Sequence, residues 1–128
     1  MKVYLRVLAG IYALAAGTHI GNMLGFGELP WADAPLAWRL SDIGYAILDT
    51  IAAIGLIFLK SWGVVAFLTA AISEILLFTL VPEWFVLKPE HLMLLRSFVA
   101  YHLVAISIYA FLYWRQNRRQ SAAQQNDN

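Results

Sequence analysis

The sequence predicts an all-α integral membrane protein, a bundle of four helices with the N-terminus and the C-terminus both inside the cell. Three observations predict it: a very apolar composition, four apolar segments of spanning length, and an uneven distribution of basic residues. Of the 128 residues, 61% are hydrophobic and 13% are charged, whereas a soluble domain is about half apolar and about a quarter charged. A membrane-spanning helix needs about 20 mostly apolar residues, each rising about 1.5 Å, and four segments meet that requirement.

The composition also limits the function. The net charge of +1 gives no indication of a nucleic-acid partner. The chain contains no cysteine, which excludes disulfide bonds, thiol redox chemistry and cysteine-ligated metals.

The first predicted helix covers Tyr4–Met23. Basic residues, an apolar run and the letters ALA at Ala13–Ala15 give its start the pattern of a cleaved signal peptide. Because the apolar run continues as far as Leu24, we interpret the segment as a retained helix.

The second predicted helix covers Trp38–Leu59 and follows the longest connection, "GFGELPWADAP" at Gly25–Pro35. Glycine and proline break helices in this connection, and Asp33 is suitably placed to cap the second helix. A tight hairpin turn, "KSWG" at Lys60–Gly63, leads into the third helix.

The third and fourth predicted helices cover Trp62–Val81 and His91–Tyr113. Pro82 ends the third helix because proline cannot continue it. Pro89 lies in the first turn of the fourth helix, where proline is well tolerated.

Basic residues predict the orientation, because cytoplasmic segments of membrane proteins carry an excess of Lys and Arg. With the N-terminus inside, six basic residues are cytoplasmic: Lys2, Arg6, Lys60, Arg115, Arg118 and Arg119. Three lie on or near the outer side: Arg39, Lys88 and Arg96. Residues 1–116 then form the bundle, and residues 117–128 form a polar cytoplasmic tail that is disordered at its end.

Ionisable side chains interrupt the apolar segments at similar depths. Counting about 1.5 Å per residue, Asp49 and His102 lie about at the membrane centre, and Glu74 lies about 4 Å towards the outside. Three others lie roughly 8–10 Å towards the outside: His19, Asp42 and Arg96. All four predicted helices therefore place polar groups in the same half of the membrane.

The helix faces agree with these depths. Asp42, Tyr45 and Asp49 follow i, i+3, i+7 spacing, so they share one face of the second helix. A charged side chain at the membrane centre costs about 2.5–3.5 kcal/mol even on insertion scales, so Asp49 and Glu74 must face protein. We predict that both carboxylates are buried and hydrogen-bonded, and that Arg96 pairs with Asp42 or Glu74.

Two interpretations of these polar groups stay open. In the first, they form hydrogen bonds that hold the bundle together, which is an ordinary role in membrane proteins. In the second, they line a ligand-binding pocket that opens outward. The candidate residues of that pocket are His19, Asp42, Tyr45, Asp49, Glu74, Arg96 and His102.

The pattern argues against a resident metal cofactor. His19 and His102 could ligate a haem b only at matched depth, and their depths differ by about 8 Å. The histidines and carboxylates also lack the spacing of a metal motif such as Glu and His at i, i+3. The serines lie in no recognisable catalytic motif, so the sequence does not indicate an enzyme that acts alone.

A membrane-embedded carboxylate in a four-helix chain of this size is similar to the small multidrug-resistance transporters. Their essential glutamate lies in the first helix, whereas Glu74 lies in the third helix here. A proton-coupled small transporter therefore stays as one alternative. A purely structural subunit of a larger membrane complex is the other.

The segment "YLRVLAGIYALAAGTHI", Tyr4–Ile20, resembles the start of DoxX-like membrane proteins. In that family an Arg opens the first helix, a Gly follows, and a polar residue comes next; here these are Arg6, Gly17 and His19. The resemblance implies a four-helix bundle in the bacterial inner membrane. Some relatives are tied to quinone-linked sulfur oxidation or to redox-protein maturation, but no catalytic residue carries over.

The favoured expectation is a protein that binds a lipophilic small molecule, such as a quinone, in its polar pocket. It could equally serve as an accessory subunit of a membrane redox complex. The expected surroundings are the lipid bilayer, with a membrane protein or a second copy of the chain as partner.

Overall fold

The computed structural model describes residues 1–126 and contains only helices and turns within that range. The four long helices are α1 (Lys2–Gly21), α2 (Leu36–Ile57), α3 (Ser61–Leu80) and α4 (Pro89–Asn126). A π turn at Asn22–Phe26 extends α1, and a 3₁₀ turn at Pro82–Trp84 follows α3. All four are long and apolar enough to cross a membrane, so the predicted all-α class with four helices of spanning length is confirmed.

Neighbouring helices run antiparallel and pack in chain order, α1 against α2, α2 against α3, and α3 against α4. The connections 27–35 and 81–88 therefore lie at one end of the bundle, called the loop end. The turn between α2 and α3 lies at the other end, called the hairpin end. Near the hairpin end, the Tyr4 hydroxyl of α1 donates to the Ala105 carbonyl of α4 over 2.5 Å. Within residues 1–126, α1 and α4 do not pack closely along the rest of their length.

The hairpin end is closed by a turn of three residues. The N–H of Lys60 bonds the Gly55 carbonyl at 2.8 Å, and the N–H of Leu59 bonds the Leu56 carbonyl at 3.1 Å. This is the Schellman pattern, in which a glycine usually adopts the left-handed conformation. Leu59 adopts it here with φ 55°, at a cost of about 1–2 kcal/mol. Because α2 ends at Ile57 and α3 begins at Ser61, the turn covers residues 58–60, and the predicted turn "KSWG" lies too far along the chain.

Gly55 and Gly63 bring α2 and α3 into backbone contact beside this turn. A Cβ atom on Gly55 would lie 2.3 Å from the Gly63 Cα atom, so no larger residue fits. The interface continues with small buried residues such as Ala52 and Ala66. Small residues let helices approach closely, which matters in lipid because no hydrophobic driving force acts between helices there.

The surface of the bundle is apolar, and part of its interior is polar. Long apolar side chains are exposed on all four helices, whereas Asp42, Asp49 and His102 are buried. The hairpin half contains an apolar core that includes Leu8 and Phe67. This distribution suits helices surrounded by lipid, where charged groups must face the bundle interior.

Two predictions about helix ends are wrong. Pro35 occupies the N-cap position of α2, and no side chain caps the helix. Asp33 instead lies in a turn that its own N–H closes onto the Pro30 carbonyl. The fourth helix does not end at Tyr113 but continues to Asn126, so residues 117–126 are helical. The last two residues of the predicted tail, 127–128, lie outside the described residues.

Candidate ligand-binding cavity

A cavity of about 620 Å³ lies in the loop-end half of the bundle and touches all four helices. Its floor, towards the middle of the helices, carries five polar side chains: Tyr12, Asp49, Glu74, Tyr101 and His102. Its walls are mostly aromatic and aliphatic, and the connection 27–35 forms its roof. A volume of about 300–1,000 Å³ with apolar walls and few polar groups is typical of a small-molecule site.

The helices α1 and α2 position the first polar cluster. The Nδ1 atom of His19 lies 2.7 Å from Asp42 Oδ1, which also accepts a hydrogen bond from Asn22 at 3.0 Å. The other ring nitrogen, Nε2, lies 3.7 Å from Asp49 Oδ2. Asp42 and Asp49 share one face of α2 two turns apart, so one imidazole lies between two carboxylates. The ring of His19 also stacks on Tyr45.

The helices α3 and α4 position the second polar cluster. Glu74 Oε2 lies 2.7 Å from His102 Nε2. On the neighbouring α2 helix, the Tyr45 hydroxyl bonds the Ser73 hydroxyl of α3 at 2.9 Å. Asp49, Glu74 and His102 all line the same cavity, so the two clusters meet at its floor. In each cluster an imidazole contacts a carboxylate. A buried carboxylate needs such a partner when it is charged.

Four buried polar atoms at the floor have no hydrogen-bond partner among the described residues: Tyr12 Oη, Asp49 Oδ1, Tyr101 Oη and His102 Nδ1. All four side chains line the cavity. Leaving a buried polar group unpaired costs about 1–3 kcal/mol, and such groups are rare in folded proteins. These atoms are enclosed by protein, so a molecule in the cavity reaches them only when neighbouring side chains shift.

A polar cluster ties the roof to the start of α4. Glu28 in the roof pairs with the Lys88 ammonium, and its second oxygen accepts a hydrogen bond from His91 Nε2 at 2.9 Å. The N–H of Leu87 donates to His91 Nδ1 at 3.1 Å, so both ring nitrogens of His91 have a partner. Glu28, Lys88 and His91 are called the roof latch below.

The roof latch is expected to depend on pH. Hydrogen bonds from Lys88 and His91 lower the pKa of Glu28 below its ordinary value of 4.5, and Glu28 raises the pKa of Lys88 above its ordinary value of 10.5. The lowered carboxyl pKa stabilises the folded state above pH 4.5, and this is lost as pH falls through the folded-state pKa. The raised ammonium pKa stabilises it below pH 10.5, and this is lost as pH rises through the folded-state pKa. The latch should therefore be closed between these two limits.

Hydrogen exchange of the backbone amides in residues 27–35 measures this closure. We expect Glu28→Gln to lower their protection at neutral pH, after correction for intrinsic exchange rates. The wild type should lose the same protection only below pH 4.5, as pH falls through the folded-state pKa of Glu28. Glu83→Gln is the matched control, because Glu83 is an exposed acidic residue at the same end. Equal protection in Glu28→Gln and the wild type would contradict the latch.

Six of the seven predicted pocket residues line this cavity: His19, Asp42, Tyr45, Asp49, Glu74 and His102. Arg96 does not line it; the side chain is exposed on α4 and makes no ion pair within the described part of the chain. The prediction that Arg96 pairs with Asp42 or Glu74 is therefore wrong. Histidines on neighbouring helices contact those carboxylates instead.

The predicted burial and hydrogen bonding of the two central carboxylates hold only in part. Glu74 is half-buried and contacts His102 at hydrogen-bond distance. Asp49 is 1% exposed, but its contact with His19 at 3.7 Å is too long for a hydrogen bond. Asp49 is thus buried without the hydrogen bond that we predicted.

Several cavity residues are absent from the predicted pocket, among them Tyr12, Glu28, His91 and Tyr101. Tyr12 lies seven residues before His19, and this spacing places both on one helix face. Tyr101 is adjacent to His102 in the chain. Nothing local predicts that Glu28 contacts His91, because these residues are 63 positions apart.

Within residues 1–126, no group of three or more His, Cys, Asp or Glu side chains is arranged to hold a metal ion. His19 and His102, which were considered as haem ligands, each contact a carboxylate through a ring nitrogen. The two His–carboxylate pairs can form hydrogen bonds and exchange protons.

Comparison with known protein families finds a match over residues 1–120, to a family described as "Family of unknown function (DUF6163)". Comparison with curated proteins and with solved structures found no match.

Proposed function

We propose that this chain, which belongs to the DUF6163 family of unknown function, spans a membrane and binds a lipophilic small molecule of the quinone class in its cavity. The observation that carries the proposal is the set of four unpaired polar atoms at the floor of a cavity with apolar walls. A ligand with a polar ring and a hydrocarbon part complements both regions. The protein then acts as a binding subunit of a membrane redox complex rather than as an enzyme on its own.

The chemistry of a quinone fits the floor in both of its redox forms. The carbonyl oxygens of a quinone accept hydrogen bonds, which the hydroxyls of Tyr12 and Tyr101 can donate. The hydroxyls of a quinol donate hydrogen bonds, which Asp49 Oδ1 can accept. The walls include Trp38 and Phe98, whose rings favour stacked or edge-on contact with a second aromatic ring.

One observation favours a proton-coupled transporter as a second candidate. His19 lies between two carboxylates, an arrangement that can pass a proton between acidic groups. The apolar core that includes Leu8, Leu56 and Phe67 separates the cavity floor from the hairpin end. Transport would require that core to open, so binding is the function that the geometry supports better.

The proposal is tested by quinone binding to the purified protein in detergent. We expect a decyl-substituted benzoquinone to quench the fluorescence of the cavity tryptophans and to raise the melting temperature. Tyr12→Phe removes an unpaired buried hydroxyl, so it should leave the ligand-free protein as stable as the wild type or more stable. The same change removes a donor to the ligand, so the affinity should fall about five-fold.

Tyr4→Phe is the matched control, because its hydroxyl donates to Ala105 and lies outside the cavity. This variant should lose about 1 kcal/mol of unfolding free energy and therefore melt at a lower temperature. It should bind the quinone as the wild type does. A wild-type protein that neither binds the quinone nor melts higher with it would end the proposal.

The orientation and the location extend the proposal. We propose that both termini are cytoplasmic, supported by the six basic residues on that side against three on the other. The antiparallel order of the helices places Lys2, Arg6 and Lys60 at the same end of the bundle. The bacterial inner membrane is proposed from the DoxX-like resemblance of Tyr4–Ile20. The test is a reporter that is active only outside the cytoplasm, fused to the C-terminus. Activity of this fusion would contradict the proposed orientation.

A further inference from the structure

The cavity opens sideways, between α1 and α4. On α1, the lining residue Ile11 is 38% exposed. On α4, the lining residues Leu94 and Phe98 are 52% and 42% exposed. By contrast, every lining residue of α2 and α3 is buried or half-buried. Ile11, Leu94 and Phe98 therefore line the cavity and are also exposed at the outer surface. They lie on either side of a gap between α1 and α4.

Both ends of this gap are closed. At the loop end, the roof covers the cavity, and the roof latch ties Glu28 to Lys88 and His91 at the start of α4. At the hairpin end, the bond from Tyr4 to the Ala105 carbonyl joins α1 to α4. The opening is thus a slot in the side of the bundle, at the level of the spanning segments.

The slot and the floor differ in chemistry. The slot is bordered mainly by apolar residues such as Ile11, Leu94 and Phe98, whereas the unpaired polar atoms lie at the floor behind it. In a bilayer the slot faces hydrocarbon and not water. Hydrocarbon chains are compatible with such a border. A water-soluble ligand would have to give up its hydration to pass between these apolar side chains.

We propose that the slot between α1 and α4 is a lateral portal, and that the ligand is a membrane-resident amphiphile whose polar ring occupies the floor while its hydrocarbon tail extends through the portal into the bilayer. This inference rests on the proposed function and specifies its ligand class as long-chain quinones. A second copy of the chain or a partner helix over the slot is the competing occupant.

The first experiment compares two benzoquinones that differ only in the decyl tail. Ser97 lines the cavity and is exposed on α4, so Ser97→Phe narrows the portal without touching the floor. We expect this variant to weaken binding of the tailed quinone about ten-fold and to change binding of the tail-less quinone less than about two-fold. Ser107→Phe is the matched control, because both serines are exposed on α4 and bond the carbonyl four residues earlier.

Thr18→Phe repeats the test on α1, where Thr18 also lines the cavity and is exposed. Its control is Thr69→Phe on α3, since both threonines are exposed and bond the carbonyl four residues earlier. Equal weakening of both quinones, or no weakening of either, overturns the portal.

A second experiment decides the portal even without a bound quinone. The chain has no cysteine, so a single fluorophore can be attached at Ala15→Cys, which lines the cavity on α1. In vesicles of lipids with brominated acyl chains, we expect this label to be quenched about as strongly as one at the exposed Ile47→Cys. A label at the buried Ala16→Cys should be protected.

A protected label at Ala15 overturns the portal, because it means that protein covers the slot. Failure of the wild type to bind any quinone ends the proposed function instead, and the lipid quenching then decides the portal on its own.

Discussion

Gly55→Ala is expected to cause a large loss of stability for a single added methyl group. The new Cβ atom would lie 2.3 Å from Gly63 Cα and 2.5 Å from the ring of Trp62. The backbone of α3 would have to move, because a backbone atom cannot rotate away as the end of a long side chain can. Overpacking of this kind costs about 1–3 kcal/mol and sometimes more, and we expect the upper part of that range.

Gly44→Ala on the same helix is the matched control, because a Cβ atom there meets nothing within 4 Å. It should leave stability unchanged or raise it by up to about 1 kcal/mol, as alanine favours helix over glycine. Thermal melts of both variants in detergent, followed by circular dichroism, measure the difference. If Gly55→Ala melted like Gly44→Ala, the close approach of α2 and α3 would be incorrect.

Asp49→Asn is expected to cause the largest loss of ligand affinity from a change that preserves shape. Asp49 is buried, and its Oδ1 atom has no partner in the described chain, so the carboxylate form of this side chain can accept a hydrogen bond from a ligand hydroxyl. Hydrogen bonds to charged groups contribute about 1.5–3 kcal/mol. The affinity for a quinol should therefore fall roughly ten-fold or more.

The melting temperature of the ligand-free Asp49→Asn protein should not fall, since an amide is less costly to bury than an unpaired carboxylate. Asp33→Asn is the control, because it removes one negative charge from an exposed residue outside the cavity. Unchanged quinol affinity in Asp49→Asn would contradict a role for this side chain in ligand binding.

The four helices were predictable because their length and apolar composition are properties of the local sequence. The end of α4 was not, because hydropathy marks where a bilayer ends and not where a helix ends. From Glu90 to Gln125 the chain contains neither glycine nor proline, so nothing stops the helix at Tyr113. The end of α2 was also not predictable. Leu59 adopts the left-handed conformation there, and the sequence lacks the glycine that usually marks such a helix end.

The cavity was predictable where depth and helix face agreed. Asp42, Tyr45 and Asp49 share one face of α2, and all three line the cavity. Arg96 has a suitable depth but the wrong face, since it follows Leu95 by one residue and so points about 100° away from it. Which histidine meets which carboxylate depends on contacts between helices, and no spacing within one helix contains that information.

The contacts that define the bundle differ greatly in their separation along the chain, and this affects the order of assembly. Gly55 and Gly63 face each other across a turn of three residues, whereas Tyr4 and Ala105 are 101 residues apart. Contacts between nearby residues form sooner because they close smaller loops. The hairpin of α2 and α3 can therefore be complete while α4 is still being synthesised. The cavity, whose last wall is α4, forms only when the whole bundle forms, so binding of the proposed ligand would report that assembly is complete.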